Sequence, residues 1–139
     1  MIFITRKERF NAAHKLLKED WTNEKNREIF GKCSNPNWHG HNYDLFVTVK
    51  GRINPETGFV IDLKFLSTLI KERVIDKIDH KNINLDVDFM KDRMASTEVL
   101  AEAIWEQLDS AIKGQGCALH CIKLFETENN YVEYFGSEN

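Results

Sequence analysis

The sequence contains few of the residues that break or cross-link a chain. Its 139 residues include only two prolines, seven glycines and three cysteines. An odd, small number of cysteines excludes a disulfide-rich scaffold and predicts free thiols in a reducing, cytoplasmic setting. No apolar run approaches the roughly 20 residues that cross a bilayer. The apolar opening, residues 1–5, is also too short for the core of a signal peptide.

A basic excess is missing as well. The chain has 22 acidic and 19 basic residues, for a net charge of −3. Nucleic-acid binding needs a basic excess or a basic face, so we do not expect that class of function. A small anionic substrate held by a few local cations remains compatible with this charge. A hydrophobic fraction of 42% is typical of a folded globule, and the length predicts a single domain over residues 1–139.

Hydrophobic periodicity predicts an α+β fold. Strands are expected over residues 2–14, 41–52, 59–61, 118–127 and 131–135. Helices are expected over 62–78, where Asp62 can cap the N-terminus, and from Ser96 to Gly114. The strand after His41 alternates clearly, with Tyr43 and the following odd-numbered aliphatic residues on one face. A sheet of this kind keeps two free edges, and edge pairing between subunits predicts self-association.

The most informative stretch, residues 33–43, holds a thiol, a turn and two histidines. His39 and His41 are separated by Gly40, and alternate side chains of a strand point to the same face. Two imidazoles at this spacing can occupy two corners of a zinc tetrahedron. The stretch follows a long polar segment, residues 15–38, with one short helix expected around 26–30. A loop of this length is usually either functional or disordered, and its position favours function.

Two interpretations of this stretch stay open on the residues alone. His14 ends the first predicted strand, where a histidine is commonly just a polar strand end. Combined with His39 and His41, it makes the three-histidine set whose open fourth position marks catalytic zinc. Cys33 could close that position and turn the site into a structural one. Alternatively Cys33, in a polar loop directly after Lys32, could act as a thiolate in acid–base chemistry.

Two further candidate groups lie outside this stretch. Asp79 and His80 follow the first long predicted helix. They are either a solvated helix end, where a histidine suits the helix dipole, or an acid–base histidine with a carboxylate neighbour. Glu126 ends an apolar strand. It is either a solvated carboxylate or an acceptor for the paired N–H groups of a guanidine-like ligand.

Six ordered segments together resemble the 6-pyruvoyl-tetrahydropterin synthase family, of which the 6-carboxy-tetrahydropterin synthases are a sister branch. The segments are residues 10–14, 30–43, 54–58, 78–82, 96–98 and 125–130. The resemblance implies the tunnelling fold (T-fold), a four-stranded antiparallel sheet with two helices on one face in the order ββααββ. It also implies trimers that close a barrel, two trimers stacked into a hexamer, and active sites between subunits.

The resemblance further implies roles for residues of this chain. The zinc ligands fall on His14, His39 and His41. The catalytic residues fall on Cys33, Asp79, His80 and Glu126. The residues that contact the pterin fall on Glu126, Thr97 and Glu98. The implied enzyme is a zinc-dependent carbon–oxygen lyase of tetrahydrobiopterin biosynthesis. It converts 7,8-dihydroneopterin triphosphate to 6-pyruvoyl-tetrahydropterin with loss of triphosphate, and it has no nucleic-acid or membrane partner.

Two alternatives accompany this expectation. One is the 6-carboxy-5,6,7,8-tetrahydropterin synthase of queuosine biosynthesis, and the other is a non-catalytic, zinc-stapled oligomer that binds pterins. The long gap between Cys33 and the histidines resembles the pyruvoyl branch. Trp38 departs from the family pattern, because related sequences often carry a small residue at this position. Its bulky ring could narrow the substrate channel. A triphosphate also needs cations, and Arg9, Lys15 and Lys32 are near the site in sequence.

Overall fold

The protein, described over residues 1–137 by a computed structural model, is built on one mixed sheet. Its strands are β1 (Ile2–His14), β2 (His39–Gly51), β3 (Lys81–Asn82), β4 (Ala118–Phe125) and β5 (Tyr131–Tyr134). They lie in the order β3-β1-β2-β4-β5. β1 and β2 pair antiparallel along their whole length, which brings His14 opposite His39. β2–β4 and β4–β5 are also antiparallel, whereas β3 pairs parallel to β1.

The helices are α1 (Asn23–Phe30), α2 (Leu63–Ile70), α3 (Asp76–Ile78), α4 (Ile83–Asp86) and α5 (Thr97–Lys113). A π-helical segment, Lys71–Ile75, joins α2 to α3, so the helix predicted over 62–78 is confirmed. Its cap is confirmed too, because the Asp62 side chain accepts the backbone N–H of Lys64. Ser96 caps α5 in the same way through the N–H of Val99. Short 3₁₀ turns lie at Gly31–Ser34 and Asp88–Met90.

One face of the sheet forms the hydrophobic core. The predicted alternation along β2 is confirmed by four core residues that are at most 1% exposed: Tyr43, Leu45, Val47 and Val49. The helices facing them contribute further buried side chains: Leu66, Ile70, Leu100, Ile104 and Leu108. Burying each such aliphatic side chain contributes roughly 1.5–3 kcal/mol. This packing fixes both long strands, and with them the residues at the strand ends.

The sheet differs from the predicted four-stranded antiparallel sheet in two places. The strand predicted over residues 59–61 is wrong, since these residues form a bend. β2, the strand that precedes them in the chain, is already paired on both sides by β1 and β4. Conversely, β3 adds a fifth, parallel strand of two residues, too short to produce an alternating pattern. The order ββααββ therefore describes only the long elements.

A buried asparagine organises the polar segment between β1 and β2. Asn26, on α1, is 6% exposed. Its Oδ1 accepts the backbone N–H of Lys18 at 2.7 Å, and its Nδ2 donates to the carbonyls of Lys18 and Thr22 at 3.0 and 3.2 Å. These hydrogen bonds connect the start of the segment to its helix. The segment is therefore an ordered part of the fold.

The cysteines agree with the sequence expectation of unpaired thiols. All three cysteines are free thiols. Burial raises the pKa of the Cys117 and Cys121 thiols, which suits packing residues. Within residues 1–137, no helix is both long enough and apolar enough to cross a membrane.

Replacing Asn26 with Ala should destabilise the protein by about 1–3 kcal/mol, because three backbone groups lose their side-chain partner. Urea unfolding would measure the loss, and hydrogen exchange of the Lys18 amide should accelerate. Asn37→Ala is the matched control, since Asn37 is an exposed residue of the same segment. Equal stability of the two variants would contradict the structural role of Asn26.

Candidate active site

Three histidines and one glutamate converge at the end of the core face of the sheet. His14 ends β1, and His39 begins β2 directly opposite it. His41 lies two residues further on and therefore points to the same face. The three ring centroids lie 4.6–5.0 Å apart. Glu126 follows β4, and one ligand atom from each of the four residues lies within 4.8 Å of all the others.

The protonation of His14 follows from its surroundings. Its Nδ1 lies 2.7 Å from the carbonyl oxygen of Ala95. A carbonyl only accepts, so Nδ1 carries the proton and Nε2 keeps a free lone pair. A histidine that binds a metal is commonly held in this way, because the outer hydrogen bond fixes the tautomer and the ring orientation.

The other two imidazoles are also electron-pair donors without partners. Within residues 1–137, the buried Nε2 of His14, Nδ1 of His39 and Nε2 of His41 accept or donate no hydrogen bond. Burial lowers the pKa of all three rings, and for His39 the neighbouring His14 lowers the pKa further. The rings therefore stay neutral at neutral pH, which is the form that binds metal ions.

One oxygen of the Glu126 carboxylate faces this cluster, and the other accepts a hydrogen bond from Thr97. Its Oε1 lies 2.9 Å from Nε2 of His41 and 3.6 Å from Nε2 of His14. The shorter contact lacks the geometry of a hydrogen bond, so it leaves the ring nitrogen unsatisfied. Thr97, the buried first residue of α5, donates its hydroxyl to Oε2 at 2.6 Å. Glu98 is exposed in the same helical turn, so its predicted pterin contact remains a prediction.

This donor set fits a metal ion. Buried polar atoms without partners are costly, at about 1–3 kcal/mol each, and several of them aimed at one point need a common partner. Three imidazole nitrogens and a carboxylate oxygen can all bind one divalent cation. The cluster His14, His39, His41 and Glu126 could therefore hold a metal ion.

Cys33 stands apart from the metal-binding group. It lies in the 3₁₀ turn Gly31–Ser34, half-buried, and its carbonyl accepts the N–H of Leu16 at 2.7 Å. Among the residues that the structure describes, the group that could hold a metal takes its fourth donor from Glu126, not from Cys33. The structure therefore does not support a structural site closed by Cys33.

Asp79 and His80 form a hydrogen-bonded pair at the outer edge of β1. The Oδ2 of Asp79 lies 3.0 Å from Nδ1 of His80. Asn11 anchors both residues, because its N–H donates to Oδ1 of Asp79 and its carbonyl accepts the N–H of His80. The hydrogen bond from Asn11, followed by that from His80, holds the pKa of Asp79 below its usual range. The His80 side chain is 81% exposed, so one chain does not bring it into the histidine cluster.

Sequence reasoning missed several parts of the site. The Ala95 carbonyl that orients His14 is a backbone group 81 residues away, which no motif reveals. Tyr43 was expected in the core, yet its buried hydroxyl has no partner within residues 1–137, and its ring centroid lies 5.7 Å from that of His41. Trp38 adopts a left-handed backbone with φ of 65°, and the Lys15 ammonium lies 4.2 Å from its ring centroid.

Comparisons with known proteins identify the family to which this sequence and fold belong. The family model described as 6-pyruvoyl tetrahydropterin synthase matches residues 3–137. The 6-pyruvoyl tetrahydrobiopterin synthase of Pongo abelii is 41% identical over 133 residues, covering 96% of this chain and 90% of the relative. The solved structure of Caenorhabditis elegans 6-pyruvoyl tetrahydropterin synthase superposes with a TM-score of 0.91 at 36% identity, covering 98% of this chain and 96% of that one.

A more distant relative belongs to the sister branch. The 6-carboxy-5,6,7,8-tetrahydropterin synthase of Bacillus subtilis (strain 168) is 29% identical over 113 residues, covering 78% of this chain and 73% of the relative. This likeness is weaker in both identity and extent. The expected T-fold is confirmed by the structural match, with the fifth short strand as its difference from the predicted sheet. The chain therefore belongs to the 6-pyruvoyl tetrahydropterin synthase family.

Proposed function

We propose that the protein is a zinc-dependent lyase that converts 7,8-dihydroneopterin triphosphate to 6-pyruvoyl-tetrahydropterin with loss of triphosphate. One observation supports this most strongly: three neutral imidazoles and a carboxylate converge at one point in a chain of this family. Residues 1–139 would act as a single domain of this type in the cytoplasm.

His14, His39 and His41 would hold the zinc, since imidazole nitrogen is a preferred zinc donor and a catalytic site uses three protein ligands. The Ala95 carbonyl supports this role by directing Nε2 of His14 toward the cluster. When bound, zinc would supply Lewis acidity toward the oxygens of the substrate side chain.

Of the four residues that could hold a metal, Glu126 would instead anchor the pterin ring, which leaves the zinc with three histidine ligands and an open fourth position. A carboxylate can accept two parallel N–H groups, which the amino group and ring N–H of a pterin present along one edge. Thr97 would keep the carboxylate in one orientation, because its hydroxyl is buried and already bonded to Oε2. Glu98 would line the outer part of the same pocket. The side chain of the substrate would thereby lie beside the three histidines.

Cys33 and the Asp79–His80 pair would move the protons. Cys33, as thiolate, would take a proton from the substrate side chain and return it on the neighbouring carbon. Asp79 remains ionised because Asn11 and His80 donate to it, so it fixes the His80 ring with Nδ1 protonated and Nε2 free to exchange a proton. His80 is highly exposed in one chain, so we propose that it serves the site of a neighbouring subunit.

A hexamer of two stacked trimers would provide that neighbour. Within residues 1–137, most of β1 has no partner on its outer edge, because β3 pairs only with Ala12 and Ala13. The sheet face opposite the core also carries half-exposed aromatic side chains: Phe3, Tyr131 and Phe135. An open edge and an apolar face are features that subunit contacts commonly cover.

A product assay tests the reaction. Purified protein incubated with 7,8-dihydroneopterin triphosphate should release triphosphate and form the 6-pyruvoyl product without acetaldehyde. The alternative is the 6-carboxy-tetrahydropterin synthase reaction of queuosine biosynthesis, which the Bacillus subtilis relative favours. Acetaldehyde release with a 6-carboxy product would support that alternative and overturn the first.

Replacing Cys33 with Ala should lower turnover by roughly 10²–10⁴-fold, the usual contribution of a positioned acid–base group. Zinc content and oligomer size should stay at wild-type values, because Cys33 lies outside the metal-binding cluster. Cys117→Ala is the control, with activity retained. Joint loss of zinc and oligomer in the Cys33 variant would instead favour the non-catalytic, zinc-stapled module.

Replacing His39 with Ala should reduce bound zinc from one per chain to less than roughly a tenth, because one of three ligands is removed. Elemental analysis of the purified variant measures this directly. His120→Ala is the matched control, since His120 packs between Phe3 and Phe135 away from the cluster. Wild-type zinc content in the His39 variant would exclude the proposed ligand set.

A further inference from the structure

Two adjoining cavities open beside the segment between β1 and β2. The larger has a volume of about 470 Å³ and is lined by Arg27, Lys32 and Ser34, among others. The smaller, about 190 Å³, is lined by Lys15, Asn26 and again Arg27 and Ser34. Pro36 also lines both. We call the two together the basic cavity, because each contributes cations and they share Arg27. The volume of the larger part falls within the usual range for small-ligand sites.

The cations of the basic cavity carry no internal counter-charge. Within residues 1–137, neither Lys15, Arg27 nor Lys32 has a carboxylate within ion-pair distance. The pairs Arg93–Glu106 and Lys113–Asp109 show that other cations of the chain are neutralised. Lys15 instead rests on the Trp38 ring. Like charges gathered around a concave surface attract an anion.

Several residues that line the basic cavity are next to candidate site residues in the chain. Lys15 follows His14 directly, and Lys32 and Ser34 flank Cys33 on either side. Successive Cα atoms are only about 3.8 Å apart, so the Cα atoms of Lys15 and Lys32 lie that close to those of His14 and Cys33. A hydrogen bond from the Leu16 N–H to the Cys33 carbonyl connects the chain after His14 to the turn that contains Lys32 and Ser34.

The structure also distinguishes among Arg9, Lys15 and Lys32, the three cations that the sequence places near the site. Arg9 pairs with Asp44, with Nε 3.0 Å from Oδ1. It alternates with Phe10 and lies on the opposite face of β1 from His14. Lys15 and Lys32 line the cavity, whereas Arg9 does not. Arg27, on the last turn of α1, also lines the cavity, and no sequence motif predicts this position.

We propose that the basic cavity binds the triphosphate of the substrate, with Arg27 as its central contact. The inference rests on the proposed function, since that substrate supplies the polyphosphate. An arginine fork can hold phosphate oxygens in a bidentate manner, and two lysines add point charges. As the C–O bond breaks, its electron pair leaves with the triphosphate. The three cations would stabilise the charge that the triphosphate gains.

The test compares Arg27→Gln with wild type in steady-state kinetics on 7,8-dihydroneopterin triphosphate at several salt concentrations. KM should rise roughly 10- to 100-fold, the loss expected for one charged hydrogen-bonding contact. Inhibition by inorganic tripolyphosphate should weaken by a similar factor, and KM should depend less on salt because one screened charge is gone. Lys32→Gln should act in the same direction, and Arg27→Lys should recover part of the loss.

Arg52→Gln is the matched control, because it removes one exposed positive charge just beyond the far end of β2. The 13-residue length of β2 places it roughly 40 Å from His39. Its KM should equal that of wild type. Wild-type KM in both Arg27→Gln and Lys32→Gln, with folding verified by circular dichroism, would overturn the inference. So would weakened tripolyphosphate binding at an unchanged substrate KM, because the cavity would then bind only free polyphosphate.

Calorimetric titration of inorganic tripolyphosphate keeps this inference separate from the proposed reaction. If wild type forms no pyruvoyl product, the proposed function fails, and titration still examines the cavity. Binding to wild type that is lost in Arg27→Gln and retained in Arg52→Gln would support an anion site at Arg27. Equal affinity in all three proteins would contradict it.

Discussion

The antiparallel pairing of β1 with β2 is the contact on which the candidate site depends. Both strands are 13 residues long, and their register places His14 opposite His39. A shift of one residue would turn every side chain of one strand to the other face. The buried faces of both strands prevent such a shift, because Phe10 and Tyr43 would have to leave the core. Core packing thus sets the geometry of the histidines.

Two side chains of the metal-binding group, His14 and Glu126, are each held in one orientation by a hydrogen bond on the side away from the group. The Ala95 carbonyl orients His14, and the Thr97 hydroxyl orients Glu126. Both supports come from the start of α5 and the residues just before it. The helix that covers the sheet therefore also sets the direction of two site residues. This coupling explains how a small fold can hold several unpartnered nitrogen atoms at one point.

The candidate functional groups lie in three regions of the chain. The histidine cluster lies at the end of the core face, whereas Asp79 and His80 lie on the outer edge of β1, held by the Asn11 backbone. The basic cavity lies on the ordered segment between β1 and β2. The substrate that we propose, with its flat ring, polar side chain and polyphosphate, would have a separate contact surface in each region. Subunit association would bring the first two regions together.

Residues close together in the chain were enough to predict much of this protein. The long strands, the cap at Asp62, the helix start near Ser96, and the common face of His39 and His41 depend on local periodicity and on single side chains. Tertiary packing decided the rest: the Ala95 carbonyl at His14, the place of Glu126 in the cluster, the two-residue β3, and the cavity that Arg27 lines and Arg9 does not. Each of these depends on where distant backbone and side chains meet, and a linear pattern carries no information about that distance.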